Sequence, residues 1–281
     1  MSIVIAGATG QLGVLVLEHL LRLGPGDTEL VGLGRETSRL DRFAADGVRI
    51  AAADYDQPGS LKAPLAGAET VLLISGSAIG RRVGQHRAVI DAAVAAGAKR
   101  VVYTSVLHAD TSPLALAADH VATEKLIAEA GVDFAFLRNG WYTENYVETV
   151  RGAAQTGEIK GSAGTGRVAS ATRSDFAEAA ARVLLNPLAG GKTYELAGDA
   201  GWTFTDLAAA ASDLLHRPVA YRGLTTAEHR ADLTAAGLDA GTVEFLVALD
   251  ANIRDGALDD GSGDLSRLLG RPTTGLKAGL G

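Results

Sequence analysis

Three glycines near the start of the chain are the first residues whose type and spacing could do chemistry. The segment from Ile3 to Gly13 reads Ile-Val-Ile-Ala-Gly-Ala-Thr-Gly-Gln-Leu-Gly, which places Gly7, Gly10 and Gly13 three apart. They follow a short β-branched run and open a helical pattern, the context in which a glycine-rich turn grips a dinucleotide pyrophosphate. Glycine serves three ends there: a sharp turn, close backbone approach to the phosphates, and tight packing of helix on strand. The free N–H groups of the helix start then face the anion. Thr9, Gln11 and Leu12 fall within the same turn and are expected cofactor contacts beside the three glycines.

The second apolar run, Leu30-Val31-Gly32-Leu33-Gly34-Arg35, bears on which dinucleotide binds. An NAD site normally ends this strand in Asp or Glu, which accepts from the ribose 2′-OH. That acid is missing and Arg35 follows. A guanidinium suits a 2′-phosphate by charge and by its fork of donors. NADPH is therefore the expected cofactor, with Arg39 as a second cation and Glu36 as a mild counter-argument. Asp54, after the third strand, is expected either to accept from the adenine amino group or to cap its own loop.

Acceptor chemistry is expected where the sixth apolar run, Phe134–Leu137, ends. Asn139, Trp141 and Tyr142 follow it directly. Two aromatics there would cover a flat ring, and Asn139 would hydrogen-bond a carbonyl or a carboxamide; the plainer reading makes Trp141 and Tyr142 core of a second lobe. His108 and His120 titrate near neutrality, but neither has a partner visible in sequence, so loop and packing roles are expected. No His, Asp or Glu cluster has metal-ligand spacing. With no cysteine in the chain, disulfides, thiolate nucleophiles and Cys-ligated zinc are excluded.

The elements that must position these residues alternate in type. Strands are expected at Ile3–Ala6, Leu30–Leu33, Val48–Ala52, Val71–Ser75, Val101–Tyr103 and Phe134–Leu137. Helices intervene where apolar residues recur at a period near 3.6, as in Leu12, Leu15, Val16, Leu20 and Leu23. Continuous apolar strands separated by helices make an α/β fold: a Rossmann-like, doubly wound parallel sheet with ligands at the carboxyl ends of its strands. After Asn145 the pattern loosens. Residues 1–144 are expected to form the NAD(P)-binding Rossmann domain, and 145–281 a smaller, interleaved C-terminal α/β lobe that walls a cleft. In that lobe Gly157–Gly166 reads as a glycine-rich connection. Ser174 and Thr205 read as N-caps, and Lys192–Leu196 and Pro218–Tyr221 as strands.

Composition narrows the class further. The 281 residues are 47% hydrophobic and 21% charged, which excludes a disordered chain. Lys plus Arg at 26 against Asp plus Glu at 33 gives a net charge of −7, with no basic stripe for nucleic acid. The first basic residue is Arg22, so no signal peptide is expected, and no run approaches the roughly 18 apolar residues of a membrane span. A cytoplasmic protein is expected, with a homodimer left open.

Taken with Thr104-Ser105 after the fifth strand and Lys125 on the next helix, the glycine motif resembles a short-chain dehydrogenase/reductase. The resemblance implies Ser75 and Ser105 as further cofactor contacts. It also implies Lys125 as a catalytic residue, holding the nicotinamide ribose or a structural carboxylate. That family normally uses Tyr-x-x-x-Lys, yet the tyrosine position is Val121, which cannot donate a proton. The missing tyrosine is a mark of the atypical, NmrA-like branch, and the chain is similar more narrowly to the bacterial NADPH-dependent quinone oxidoreductase 2 proteins. The matching segments span nearly the full length and include His108-Ala109-Asp110-Thr111-Ser112-Pro113, Leu137-Arg138-Asn139-Gly140-Trp141-Tyr142 and Gly270-Arg271-Pro272-Thr273-Thr274. One departure is Ile74-Ser75-Gly76-Ser77, where Gly76 is expected to loosen the loop.

The resemblance implies hydride transfer from NADPH to a quinone or related conjugated carbonyl, with Asn139 and Tyr142 at the reacting end. Such an acceptor takes hydride readily and water can protonate its oxygens, so the reaction asks for orientation more than for a strong acid. The alternative is an NADP(H)-sensing regulator without turnover.

Overall fold

The computed structural model describes residues 1–78 and 80–281. Its main sheet has seven parallel strands: β1 (Ser2–Ala6), β2 (Glu29–Gly34), β3 (Arg49–Ala52), β4 (Thr70–Leu73), β5 (Arg100–Val106), β6 (Asp133–Asn139) and β8 (Lys192–Leu196). Their order is β3-β2-β1-β4-β5-β6-β8, so the winding reverses between β1 and β4. That reversal opens a crevice at the carboxyl ends of these two strands, the place where doubly wound sheets take ligands.

Helices cover both faces, which is why β1, β4 and β5 are buried along their whole length. Side chains alternate between the faces at a period of two. Ile3, Ile5, Leu72, Val102 and Leu137 pack against α1 (Gln11–Leu23) and α7 (Arg173–Leu185). Val4, Val71, Leu73, Val101 and Tyr103 face α4 (Arg82–Ala95) and α5 (Ala117–Glu129). Two short helices, α2 (Asp41–Ala44) and α3 (Lys62–Leu65), follow β2 and β3.

The segment after 145 divides between two cores. α7 and β8 return to the main sheet. A second core gathers α6 (Val147–Thr156), α8 (Phe204–Leu215), α10 (Ala240–Arg254) and the parallel pair β7 (Glu158–Gly161) and β9 (Ala220–Gly223) around Tyr146, Trp202 and Phe204. Trp202 meets the Tyr146 ring edge-on at 4.8 Å. Three short-range helices complete the chain: α9 (Thr226–Ala235), α11 (Asp264–Leu269) and α12 (Leu276–Leu280).

The structure moves several expected boundaries. The glycine-rich connection holds β7, because Gly157 at φ +71° ends α6 and releases the chain into a strand. β4 stops at Leu73, and the Ser75 N–H turns to the Thr104 hydroxyl at 2.9 Å. The caps lie two residues earlier than Ser174 and Thr205. Thr172 accepts from the Asp175 N–H, and Thr203 forms a capping box with Asp206. A capping oxygen must reach an N–H three residues on, and in each case an aspartate stands there to reciprocate or to serve the first turn. Ser174 instead joins α7 to α1 through His19, Oγ to Nε2 at 3.0 Å.

The C-terminal segment is fastened to α7 by charge. Arg271 Nη2 donates to Asp175 Oδ1 at 2.9 Å and to Glu178 Oε2 at 2.8 Å, and the Thr274 N–H donates to Asp175 Oδ2 at 2.9 Å. Both carboxylates are buried. Removing the cation leaves them short of partners, so Arg271→Ala is expected to lower stability by about 1–3 kcal/mol in a urea titration. Lys277→Ala, which breaks only the exposed pair with Asp213, is expected to leave the midpoint nearly unchanged.

Candidate functional site

The crevice between β1 and β4 is floored by the glycine turn. Gly7 has φ +87°, a conformation that side chains disfavour. Gly10 is the N-cap of α1 and offers no side-chain cap, and the first turn of α1 carries no acid. Its leading N–H groups are therefore available to an anion. Gly13 lets the helix close on the strand: a Cβ there would strike the Gly7 carbonyl oxygen and lie 2.6 Å from Ala8 Cα. Gly34, at the end of β2, makes room in the same way for the Thr9 side chain, which a Cβ would hit.

A groove of about 290 Å³ runs from this turn across the sheet edge, with Thr9, Gly10, Arg35, Asp54, Tyr55 and Gly76 on its walls. Arg35 stands exposed at its lip, and among the described residues neither it nor Arg39 forms an ion pair. Asp54 lines the groove and also caps its own loop, Oδ1 accepting from the Asp56 N–H at 3.0 Å. Tyr55 was not singled out by sequence. Its hydroxyl is buried with no hydrogen-bond partner among the described residues, and it lies 3.3 Å from where a Gly7 Cβ would sit. Burial pushes this phenol well above its usual range, so it stays protonated.

Further along the carboxyl edge, two more buried polar atoms lack partners: Ser105 Oγ at the end of β5 and Asn139 Oδ1 at the end of β6. Buried polar groups are nearly always paired, so these two atoms have bonding capacity left for a ligand or an ordered water. Asn139 Nδ2 points to the Tyr142 hydroxyl at 3.4 Å. Tyr142 is held from both sides: Phe176 meets its ring edge-on at 5.2 Å, and the Arg173 guanidinium lies 4.8 Å from its centroid. Burial raises its pKa and keeps it a neutral phenol. The residues present thus fit a dinucleotide: free helix N–H groups for phosphate, a cation at the lip without an ion pair among the described residues, and unsatisfied polar atoms further along the carboxyl edge.

Other expected residues are placed elsewhere. Lys125 is not brought to the groove: α5 turns His120, Thr123 and Ile127 inward and leaves Lys125 in solvent, its Nζ 3.8 Å from Glu129. Trp141 packs against the second core, the plainer of its two readings. Ser75 is half-buried on the loop after β4. Gly76 does not loosen that loop, because its N–H donates to His86 Nε2 at 3.0 Å and its C=O accepts from Arg82 Nε at 2.6 Å. His108 adopts φ +52° and lies 3.1 Å from Asp260 through Nε2, a loop anchor with partners far along the chain. His120 is buried with Nδ1 2.8 Å from the Tyr103 hydroxyl, and burial pushes it down to about 3, so it packs as a neutral ring. Among the described residues no group of three or more His, Cys, Asp or Glu could hold a metal, and no helix is long and apolar enough to cross a membrane.

The family model described as NAD(P)H-binding matches residues 7–187. The chain belongs to the NAD(P)H-binding family. Over 274 residues it is 46% identical to quinone oxidoreductase 2 of Escherichia coli (strain K12), covering 98% of this chain and 96% of that one. The crystal structure of the NADPH-dependent quinone oxidoreductase from Escherichia coli complexed with NADPH superposes with a TM-score of 0.93 at 45% identity, over 99% of this chain and 98% of that one. Triphenylmethane reductase from Citrobacter sp., complexed with NADP(H), gives 0.91 at 35% identity, over 99% and 98%. The Rossmann-like fold and the NmrA-like resemblance are borne out, and the family match makes residues 7–187 an NAD(P)H-binding domain.

The contact between α1 and β1 makes a direct test of the glycine turn. Gly13→Ala is expected to force the helix off the strand and to lower stability by about 1–3 kcal/mol, read from a thermal or urea transition. Gly10→Ala, whose Cβ would meet only the Gly7 carbonyl oxygen at 3.3 Å, is expected to cost far less.

Proposed function

We propose that this protein is an NADPH-dependent oxidoreductase that reduces a quinone or related conjugated carbonyl without a tyrosine general acid. The observation that carries the reading is the pair of unsatisfied buried atoms, Ser105 Oγ and Asn139 Oδ1, at the carboxyl edge of a near full-length relative of a quinone reductase. Val121, at the place of the usual tyrosine, is 40% exposed on α5 and offers no proton. When bound, NADPH supplies the hydride. The protein's share is to bind and orient, and water supplies the proton that the reduced oxygen takes up.

In this reading the first-turn N–H groups of α1, with Gly7, Thr9, Gly10, Gln11, Leu12 and Gly13, cradle the pyrophosphate. Arg35, with Arg39 as a second cation, takes the 2′-phosphate, and Asp54 accepts from the adenine amino group. Ser75 and Ser105 line the path toward the nicotinamide. Asn139 accepts from the carboxamide through Oδ1 or donates to an acceptor carbonyl through Nδ2, and Tyr142 forms the adjacent wall. Residues 1–144 carry the cofactor, and the second core within 145–281 supplies the acceptor side. A cytoplasmic setting fits a chain without cysteine. A sensor without turnover is not favoured, since the match to a reductase runs end to end.

The experiment is NADPH oxidation followed optically with a panel of simple quinones and, beside it, a plain aliphatic ketone. Quinones are expected to turn over and the ketone to react poorly; no oxidation with any quinone would sink the reading. NADPH is expected to bind more tightly than NADH, and Arg35→Ala to weaken NADPH about tenfold or more while NADH changes little. Asn139→Ala and Tyr142→Ala are expected to lower kcat with quinone more than they weaken NADPH, because lost positioning acts on the reacting geometry. Trp141→Ala is expected to show itself first as a lower melting temperature.

A further inference from the structure

The peptide of Gly76 is held at both of its polar atoms by side chains from a single helix. Its N–H donates to His86 Nε2 at 3.0 Å, and its C=O accepts from Arg82 Nε at 2.6 Å. One residue earlier, the Ser75 N–H donates to Thr104 Oγ1 at 2.9 Å. Three backbone groups of the loop after β4 therefore end on side chains rather than on a strand. That loop forms a wall of the nucleotide groove through Gly76, Ser77 and Ala78.

His86 is built into this arrangement. It is fully buried on the inner face of α4, and the Tyr103 ring meets it edge-on at 5.4 Å. Its protonation state follows from its neighbours. Nε2 must accept, because a backbone N–H points at it. Nδ1 must then carry the proton and donates to Thr123 Oγ1 at 2.9 Å, and that hydroxyl donates on to the Asp119 carbonyl at 2.8 Å. Every donor in the row has one acceptor, which fixes the ring in one orientation. Burial and the nearby Arg82 push His86 down to about 4, so the acceptor nitrogen is bare throughout the neutral range. Arg82 is likewise buried, and its Nη1 lies 3.5 Å from Asp119. None of these groups reaches the reacting end, and neither the glycine turn nor the acceptor wall uses them.

We propose that His86 and Arg82 are positioning residues for NADPH: they clamp the Gly76 peptide so that the loop after β4 presents a preformed wall to the nucleotide. A glycine stands where the loop would otherwise be the softest part of the groove, and the clamp replaces the stiffness it lacks. Preorganisation of this kind shows in cofactor affinity, since a free loop must be ordered at the moment of binding. The proposal rests on the reading of the groove as the NADPH site.

The test uses the full-length protein and reads NADPH binding directly, by fluorescence titration, beside the quinone assay and a melting curve. His86→Phe keeps the ring volume and removes the acceptor; it is expected to raise the NADPH Kd about tenfold. The KM for quinone is expected to stay within about twofold, because the groove walled by Gly76, Ser77 and Ala78 includes neither Asn139 nor Tyr142. His86→Gln, whose Oε1 can accept from the same N–H, is expected to recover most of the affinity, which a loss of core packing alone would not allow. Arg82→Met, which keeps most of the stem and removes the donor on the carbonyl side, is expected to shift Kd in the same direction and decides the matter if His86→Phe does not fold. Folded variants at both positions that bind NADPH as the parent does would overturn the proposal, as would a His86→Gln variant no better than His86→Phe. An unmodified protein that binds NADPH yet reduces no quinone would remove the proposed activity and leave the clamp standing.

Discussion

The closeness of α1 to the end of β1 is the constraint on which the site depends. Backbone meets backbone there: a single methyl group at Gly13 would overlap the Gly7 carbonyl, and one at Gly34 would overlap Thr9. Only this approach aims the first N–H groups of α1 into the crevice at the sheet's point of reversal. The helix is then locked from outside by α7, whose Ala177, Ala180 and Ala181 are buried against the same core. Small residues on both contacting surfaces let the glycine turn sit at the centre of the fold, not on an edge.

Strand β6 shows how one element serves stability and chemistry at once. Alternate residues point to opposite faces. Arg138 turns toward α5 and closes a two-pronged pair on Glu124, with bonds of 3.0 and 2.8 Å, while Nη1 reaches Glu195 on β8 at 2.8 Å. Those carboxylates hold its pKa above the usual guanidinium range. The next residue, Asn139, turns to the other face and keeps an unsatisfied oxygen there. It is paired in register with Val106 on β5 and Leu196 on β8, so its position comes from two neighbouring strands. A polar group left without a partner is costly, and the charged network on the opposite face is what fixes the strand end that bears it.

Much was legible from the chain alone, for local reasons. Strand runs, the 3.6 period of α1 and the three glycines are short-range patterns, and a parallel doubly wound sheet follows from their alternation. The absence of an acid at the end of β2 is likewise a one-residue fact, and so is valine at the position of the usual proton donor. Both survive in the structure, where Arg35 forms no ion pair among the described residues and Val121 faces solvent on α5.

What the tertiary structure alone decided involves partners far apart in sequence. Lys125 carries a family position but lies on the outer face of its helix, because the buried stripe runs through His120, Thr123 and Ile127. Tyr55 and His86 gave no motif, since their meaning comes from Gly7 and Gly76, which only folding brings beside them. Gly76 read as a loose point because glycine lacks a side chain of its own; its stiffness is borrowed from α4 and β5. Local pattern determined the elements, the glycine turn and the missing acid. Which polar atoms are satisfied, and which wait for a ligand, depends on long-range packing and was settled only when the sheet and its covering helices were in place.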